Sequence, residues 1–304
     1  MLHVLPTLPT LPAHLQDVPA GRATDEYLFR ALALARLIKT EGELELMRKA
    51  SDISSRAHEV VMRLLGKGVK TPPCATKPTG VIMPADWLIE KEVRDTCYII
   101  AYMHFAHRWQ SEAEAVFVAT CRREGAVHQA YLPIVAASTR AATLHYCCND
   151  KEFAWGPTNH SHPDAQLTHK HGHEGHQVLP QVLLIDAACE WDCYASDITR
   201  TMPVGNGGKF TPEAGAIYEL VLEMQSNAYK LVRARTHWDD VQHSCHVTLA
   251  QGFLKLGIFK GSEQDILASD VTTAFFPHGV GHSIGMDVHD VPSMCSHSAY
   301  LFEE

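Results

Sequence analysis

Residues 182–199 read VLLIDAACEWDCYASDIT, and this stretch decides the fold because it predicts two short strands that each carry an aspartate. The first strand ends at Asp186, and the second segment, 193–199, contains Asp197. A hairpin turn centred on residues 191–192 would place the two aspartates directly opposite one another. Their Cβ atoms would then be about 5 Å apart.

Two carboxylates held that close repel each other unless a cation lies between them. A pair of divalent ions about 3.5–4 Å apart, bridged by the carboxylates, would remove the repulsion. For an aspartate pair alone, the simpler interpretation of two polar residues beside a turn is favoured. A second group of ligand-type residues is therefore needed before a metal site is predicted.

That second group follows further along the chain, where residues 276–290 read FPHGVGHSIGMDVHD. His278 and His282 are separated by glycines, which let a backbone turn sharply or approach a ligand. His289 follows between two aspartates. Histidine binds first-row metals and relays protons, so three histidines in a short segment favour a site over a structural role.

The rest of the chain predicts a mixture of helices and hairpin-like strands. Thr40 and Glu43 form a capping box ahead of apolar residues at helical spacing, from Leu46 to Leu64. Further helices are predicted from Thr211 and over 239–256, and an extended segment over 272–276. Without regular strand–helix alternation, the pattern indicates an α+β fold rather than a doubly wound sheet.

Composition excludes several classes of function. The 304 residues are 46% apolar and 20% charged, which suits a folded protein, and the net charge of −9 disfavours nucleic-acid and anionic-membrane partners. Nine scattered cysteines do not form a disulfide framework, and the proline-broken N-terminus makes a poor signal peptide. The longest apolar run is too short to cross a bilayer. We expect a cytoplasmic protein with no membrane partner.

Two stretches fit no regular element. Prolines break residues 71–110, and residues 155–178 are rich in glycine, proline and histidine. A histidine-rich tract can bind metal adventitiously, but a solvated loop is the favoured interpretation because no cysteine or carboxylate is interleaved at finger spacing.

Four segments, in order, resemble the Xaa-Pro aminopeptidases and prolidases, with fungal proteins the most similar. They are the helix at 38–51, the segment Ala-Thr-Leu-His145-Tyr, the aspartate hairpin and the histidine segment. The matching stretches cover most of 26–70 and 111–292. The resemblance implies a pita-bread fold, with a residual N-terminal segment at 1–37. A partial catalytic domain would span 38–304, with insertions near 71–110 and 155–178.

The same resemblance implies a role for each residue of the site. Asp186, Asp197 and His282 would be metal ligands, with Asp197 contributing to both of two divalent ions, usually manganese. His278 and His289 would line the substrate site and steady the scissile carbonyl and the tetrahedral intermediate.

His145 would contact the substrate or help to shuttle a proton. The reaction would release the first residue of a peptide whose second residue is proline, so proline-containing peptides are the expected partners. A homodimer is one option for the assembly.

The sequence also departs from the family pattern. The family has two further glutamate ligands downstream of the histidine segment, and the fold and site are expected to be incomplete because Glu304 ends the chain before them. Glu303 and Glu304 are not assigned as ligands. Ala187 and Ala188 stand where the family usually has two glycines.

Three functions therefore stay open. The first is a metal-dependent Xaa-Pro aminopeptidase, which the retained aspartates and histidines favour. The second is a catalytically inactive relative that binds peptides or partners, which the expected loss of two ligands favours. The third is a methionine aminopeptidase, which shares the fold but resembles the hairpin and histidine strings less.

Overall fold

The computed structural model describes residues 2–3, 23–24, 27–66, 109–157 and 176–291. The helices in these ranges are α1 (Leu28–Leu37), α2 (Glu41–Gly66), α3 (Gln110–Arg123), α4 (Pro212–Leu231), α5 (Trp238–Lys255) and α6 (Glu263–Ala268). The strands are β1 (Leu2–His3), β2 (Ala23–Thr24), β3 (Ile134–Ala137), β4 (Trp155–Pro157), β5 (His176–Val178), β6 (Gln181–Asp186), β7 (Glu190–Trp191), β8 (Tyr194–Ala195) and β9 (Thr199–Val204). Short 3-10 helices span Ser138–Ala142, Asn206–Gly208 and Val271–Ala274.

The sheet that carries the site is antiparallel, in the order β3-β6-β9. The central strand β6 ends at Asp186, which pairs with Ile134 on one side and Thr199 on the other. Helices pack against this sheet rather than alternating with its strands, and the predicted α+β class is confirmed.

The predicted register of the aspartate hairpin is wrong. Thr199, two residues beyond Asp197, lies opposite Asp186. The turn is centred on Asp192 and Cys193, whose φ angles of 46° and 68° are both positive, as a type I′ hairpin requires. This turn lies one residue later than predicted, so Asp197 becomes the diagonal neighbour of Asp186 on the same face of the hairpin.

Helix α2 begins as predicted. The Thr40 N–H donates to Glu43 Oε2 (2.7 Å), and the Glu43 N–H donates to Thr40 Oγ1 (3.4 Å), so the capping box is confirmed. The apolar face of α2 is buried against α3 and the sheet, in a cluster that includes Ile53, Phe117 and Ile185. This packing fixes α2 directly behind the aspartate hairpin.

A second apolar cluster holds α4 against α5. Leu220 and Met224 of α4 pack against Cys245, Leu249 and Phe253 of α5. The Ala214 N–H donates to Thr211 Oγ1 (3.3 Å), which confirms the predicted cap of α4. The helix predicted over 239–256 corresponds to α5.

The loop that carries the histidines follows a 3-10 helix at Val271–Ala274, so the extended segment predicted over 272–276 is wrong. Asp270 adopts a left-handed conformation there (φ 54°), and the Phe276 N–H bonds back to the Thr272 carbonyl, so the chain turns instead of extending. The strand predicted over 193–199 is also interrupted, because residues 196–198 lie between β8 and β9.

The insertions predicted near 71–110 and 155–178 lie largely outside the described residues. Within the described residues, β4 and β5 pair as an antiparallel hairpin at the two ends of the second stretch. Most histidines of that stretch also lie outside the described residues: His160, His162, His169, His171 and His173. In the parts of the chain that the structure describes, no helix has both the length and the apolar character that a membrane span requires.

Candidate active site

Asp186 and Asp197 share a hydrogen-bond donor midway along the hairpin, where the pairing of β6 with β9 ends at Asp186 and Thr199. The Tyr131 hydroxyl lies 2.5 Å from Asp186 Oδ1 and 2.9 Å from Asp197 Oδ1. Diagonal neighbours on a hairpin are about 7–8 Å apart at the backbone, so a single hydroxyl can reach both carboxylates. The structure thus brings the two predicted ligands together through a residue that precedes β3.

This arrangement concentrates negative charge. Burial raises the pKa of Asp186, and the charge of Asp197 adds to the rise, while the hydrogen bond from Tyr131 offsets part of it. Burial and the two carboxylates raise the pKa of the Tyr131 phenol, so it stays a proton donor. A cation beside the two carboxylates would relieve the same repulsion.

His282 approaches Asp197 from the histidine loop. Its Nε2 atom lies 3.0 Å from Asp197 Oδ2, and its Nδ1 atom lies 3.0 Å from the Ser283 carbonyl oxygen. A carbonyl can only accept, so Nδ1 carries the proton of a neutral ring and Nε2 presents a lone pair to the carboxylate. That contact is favourable when the ring is protonated or when a cation lies between the two atoms.

His289 stacks on His282. The ring centroids are 3.9 Å apart, with an angle of 13° between the planes. His289 is exposed to solvent. The stacking brings these two predicted site residues together.

Asp290 fastens the histidine loop to the N-terminal helices. Its side chain is only 1% exposed, and it accepts hydrogen bonds from Arg36 and from Lys39 Nζ (2.8 Å). Burial alone would raise the pKa of Asp290, but the hydrogen bonds from Lys39 and Arg36 outweigh burial and lower it. The loop is also tied to the hairpin, because the Ala195 N–H donates to the Gly285 carbonyl (2.7 Å).

His278 lies apart from the other site residues. Its ring packs edge-on against Phe276, and its backbone carbonyl accepts a hydrogen bond from Gln242 Nε2 (3.2 Å). The Val280 N–H donates to Gln242 Oε1 (2.9 Å), so one side-chain amide of α5 holds both sides of the turn. The imidazole itself is exposed.

His145 is the most remote of the predicted site residues in sequence. It is exposed and adopts a left-handed conformation (φ 52°) in the loop after the 3-10 helix at Ser138–Ala142. Its charge acts on Asp186 and lowers the pKa of that carboxyl, a smaller influence than burial. Among the described residues, no hydrogen bond joins His145 to either carboxylate.

Sequence reasoning missed Tyr131 and Gln242. Neither residue lies in a recognisable motif, because each reaches the site from an element distant in sequence. The one local signal for Gln242 is its position one helical turn before His246 on α5. The Gln242 amide nitrogen lies 3.1 Å from His246 Nε2.

The donor types present fit a divalent ion. Two carboxylates and an imidazole lie in one hydrogen-bonded chain, and His282 bonds to a carbonyl through its second ring nitrogen, as metal-bound histidines usually do. Among the described residues, no three His, Cys, Asp or Glu side chains form a group that could hold a metal ion. The three predicted ligands are thus neighbours that do not converge on one point.

Comparison with known proteins identifies similar chains. The sequence profile described as "Metallopeptidase family M24" matches residues 45–303. A "Probable Xaa-Pro aminopeptidase" from Pyricularia oryzae is 38% identical over 283 residues, which are 92% of this chain and 42% of that protein. The chain therefore spans less than half the length of this relative.

Solved structures give the same result. "The structure of Pseudomonas aeruginosa aminopeptidase PepP" superposes with a TM-score of 0.63 at 30% identity, covering 87% of this chain and 45% of that one. "Zn substituted E. coli Aminopeptidase P in complex with product" superposes with a TM-score of 0.61 at 27% identity, covering 84% and 44%. The predicted pita-bread fold is confirmed over the part that the chain shares with these structures.

Proposed function

The chain belongs to metallopeptidase family M24, and from that we propose that it acts as a metal-dependent aminopeptidase on peptides with proline at the second position. The observation that carries the proposal is the chain of contacts from Asp186 through Tyr131 to Asp197 and His282. The names of the similar proteins support the substrate class.

Asp186, Asp197 and His282 would hold the metal. A bound divalent ion lowers the pKa of water towards neutrality and polarises a carbonyl group. We propose two such ions and manganese as the metal. Tyr131 holds the two carboxylates in fixed orientations by hydrogen bonding to both.

His278 and His289 would contact the substrate. Both residues are exposed, and although His278 lies apart from the hairpin, an imidazole N–H of either residue can donate a hydrogen bond to a substrate oxygen on which negative charge develops. The stack between His289 and His282 limits rotation of both rings, which keeps the donor in place during the reaction. His145 is proposed to contact the peptide from the loop after the 3-10 helix at Ser138–Ala142.

The inactive-relative alternative is not favoured, because His282 contacts Asp197 and the similar proteins are named as aminopeptidases. The names of these relatives also favour the proline-specific activity over a methionine aminopeptidase.

The test is peptide cleavage by the purified chain with added manganese. Ala-Pro-Ala should lose its first residue, detected by mass spectrometry, while Ala-Ala-Ala should be cleaved far more slowly. Asp197→Asn should reduce the cleavage rate by at least about 100-fold, since substitution of even an outer-shell residue lowers metal affinity or activity 10–100-fold. Asp192→Asn is the matched control, because Asp192 is exposed in the turn and asparagine tolerates its positive φ. Equal rates for the two variants would contradict the proposal.

A further inference from the structure

His58 is a buried histidine that lies behind the aspartate hairpin. It belongs to α2, and its side chain is almost fully buried, with a relative exposure of 1%. Its Nε2 atom lies 2.9 Å from the Ala187 carbonyl oxygen and 3.0 Å from the Ile198 carbonyl oxygen. These carbonyls belong to the residues that directly follow Asp186 and Asp197.

The two carbonyls determine the proton position on the ring. Both can only accept, so Nε2 carries the proton and shares it between them. Nδ1 then presents a lone pair, and this buried atom has no hydrogen-bond partner among the described residues. Burial lowers the pKa of His58, which keeps the ring neutral.

Because Nδ1 is buried without a partner, His58 is a costly choice if its role is only to fill space. Leaving a buried acceptor without a donor destabilises a fold, and an apolar side chain would avoid that penalty. Phe117 packs against the ring at a centroid distance of 4.9 Å, so the surroundings would accept an apolar residue. The Nε2–H donor is therefore the part of the side chain that this position uses.

The Nε2–H group of His58 replaces a backbone hydrogen bond that is missing from the hairpin. Ala187 and Ile198 face each other, and the Ala187 N–H donates to the Ile198 carbonyl (3.2 Å). In a regular antiparallel pair, the Ile198 N–H would donate back to the Ala187 carbonyl. Instead, the Ile198 N–H points to the Tyr131 hydroxyl oxygen (3.4 Å), and His58 supplies the donor that the Ala187 carbonyl lacks.

The backbone hydrogen-bond ladder between the two strands is therefore incomplete directly after Asp186 and Asp197. Tyr131 takes the place of one ladder bond on the front of the hairpin, and His58 closes the strands from behind. A change in the separation of Ala187 and Ile198 would move both carboxylates, because each aspartate directly precedes one of these residues.

We propose that His58 is a positioning residue that sets the spacing of Asp186 and Asp197 by clamping the carbonyls of Ala187 and Ile198 with one N–H group. This inference rests on the proposed metal site for its functional meaning. Its structural content, the clamp itself, can be measured without any metal.

The test compares two substitutions of similar size and helix propensity. His58→Gln keeps an N–H donor near the position of Nε2, whereas His58→Met fills the space without a donor. Hydrogen–deuterium exchange is measured on the full chain in EDTA, and manganese affinity is measured by electron paramagnetic resonance.

His58→Met should raise the exchange rate of peptides covering 186–199 by roughly tenfold, while peptides from α4 and α5 keep their rates. It should also weaken manganese binding by roughly 10–100-fold, as loss of other supporting contacts does. His58→Gln should restore most of both properties.

Equal exchange rates and equal manganese affinities for the two variants would overturn the inference. A rise in exchange spread evenly over the chain would also overturn it and leave His58 an ordinary core residue. If the unsubstituted chain binds no manganese, the proposed metal site fails, and the exchange comparison still decides whether the clamp exists.

Discussion

Replacing Asp290 by asparagine is the sharpest test of how the histidine loop is held. The carboxylate is 1% exposed and faces two cations, Arg36 (28% exposed) and Lys39 (10% exposed). The substituted amide would keep the shape of the side chain but remove its charge. The two cations would then face each other across a neutral group in a partly buried site.

The expected loss of stability follows from the burial of the group. Removing one partner of a buried ion pair typically costs 3–5 kcal/mol, and the partial exposure of Arg36 places this case near about 3 kcal/mol. Asp287→Asn is the matched control, because Asp287 also pairs with Arg36 but is 67% exposed. Exposed pairs contribute about 0–1 kcal/mol, so this variant should change little.

The assay is urea unfolding of the two variants and the unsubstituted chain at several pH values. The pKa of Asp290 is lowered in the folded state, so its contribution is present above its unfolded pKa of about 3.9 and is lost as the pH falls through the folded value. The difference in unfolding free energy between Asp290→Asn and the unsubstituted chain should therefore be largest near pH 7 and decrease below about pH 4. A loss of less than about 1 kcal/mol at pH 7, or equal losses for both variants, would show that the buried ion pair does not hold the loop.

Three further perturbations test other contacts of the site. Tyr131→Phe removes the donor shared by the two carboxylates and should lower stability in EDTA by roughly 1.5–3 kcal/mol in urea unfolding, while a loss below about 0.5 kcal/mol would contradict the shared bond. Gly285→Ala would place a Cβ atom well inside contact distance of Asp290 Oδ2 and should lower the unfolding free energy by about 1–3 kcal/mol. A Cβ atom at Gly279 would meet nothing within 4 Å, so Gly279→Ala is the control and should change stability little. Equal melting temperatures for the two variants would count against the clash. Gln242→Met removes both bonds to the histidine turn and should speed hydrogen exchange in residues 277–282 by roughly fivefold, and unchanged exchange would show that the amide does not hold the turn.

Local sequence signals predicted the helices well because capping is a short-range effect. Thr40 and Thr211 each bond within three residues, so their neighbours were sufficient to identify both helix starts. The hairpin register was predicted less well. Its turn uses Asp192 and Cys193 at positive φ, and neither residue is the glycine that usually marks such a turn.

The candidate site divides in the same way. Asp186, Asp197 and His282 belong to local strings that are visible in the sequence, and the structure places them side by side. Tyr131 and His58 act through contacts across long stretches of chain, so no spacing rule reveals them. The choice of manganese, the homodimer and the cytoplasmic location stay predictions.

The proposed function depends on Asp186, Asp197 and His282 binding a divalent ion. Isothermal titration of the full chain with manganese tests it directly, with Asp197→Asn and the turn variant Asp192→Asn measured in parallel. Manganese should bind to the unsubstituted chain and to Asp192→Asn, and at least about 100-fold more weakly to Asp197→Asn. Equal affinity for all three chains, or no binding to any of them, would contradict it.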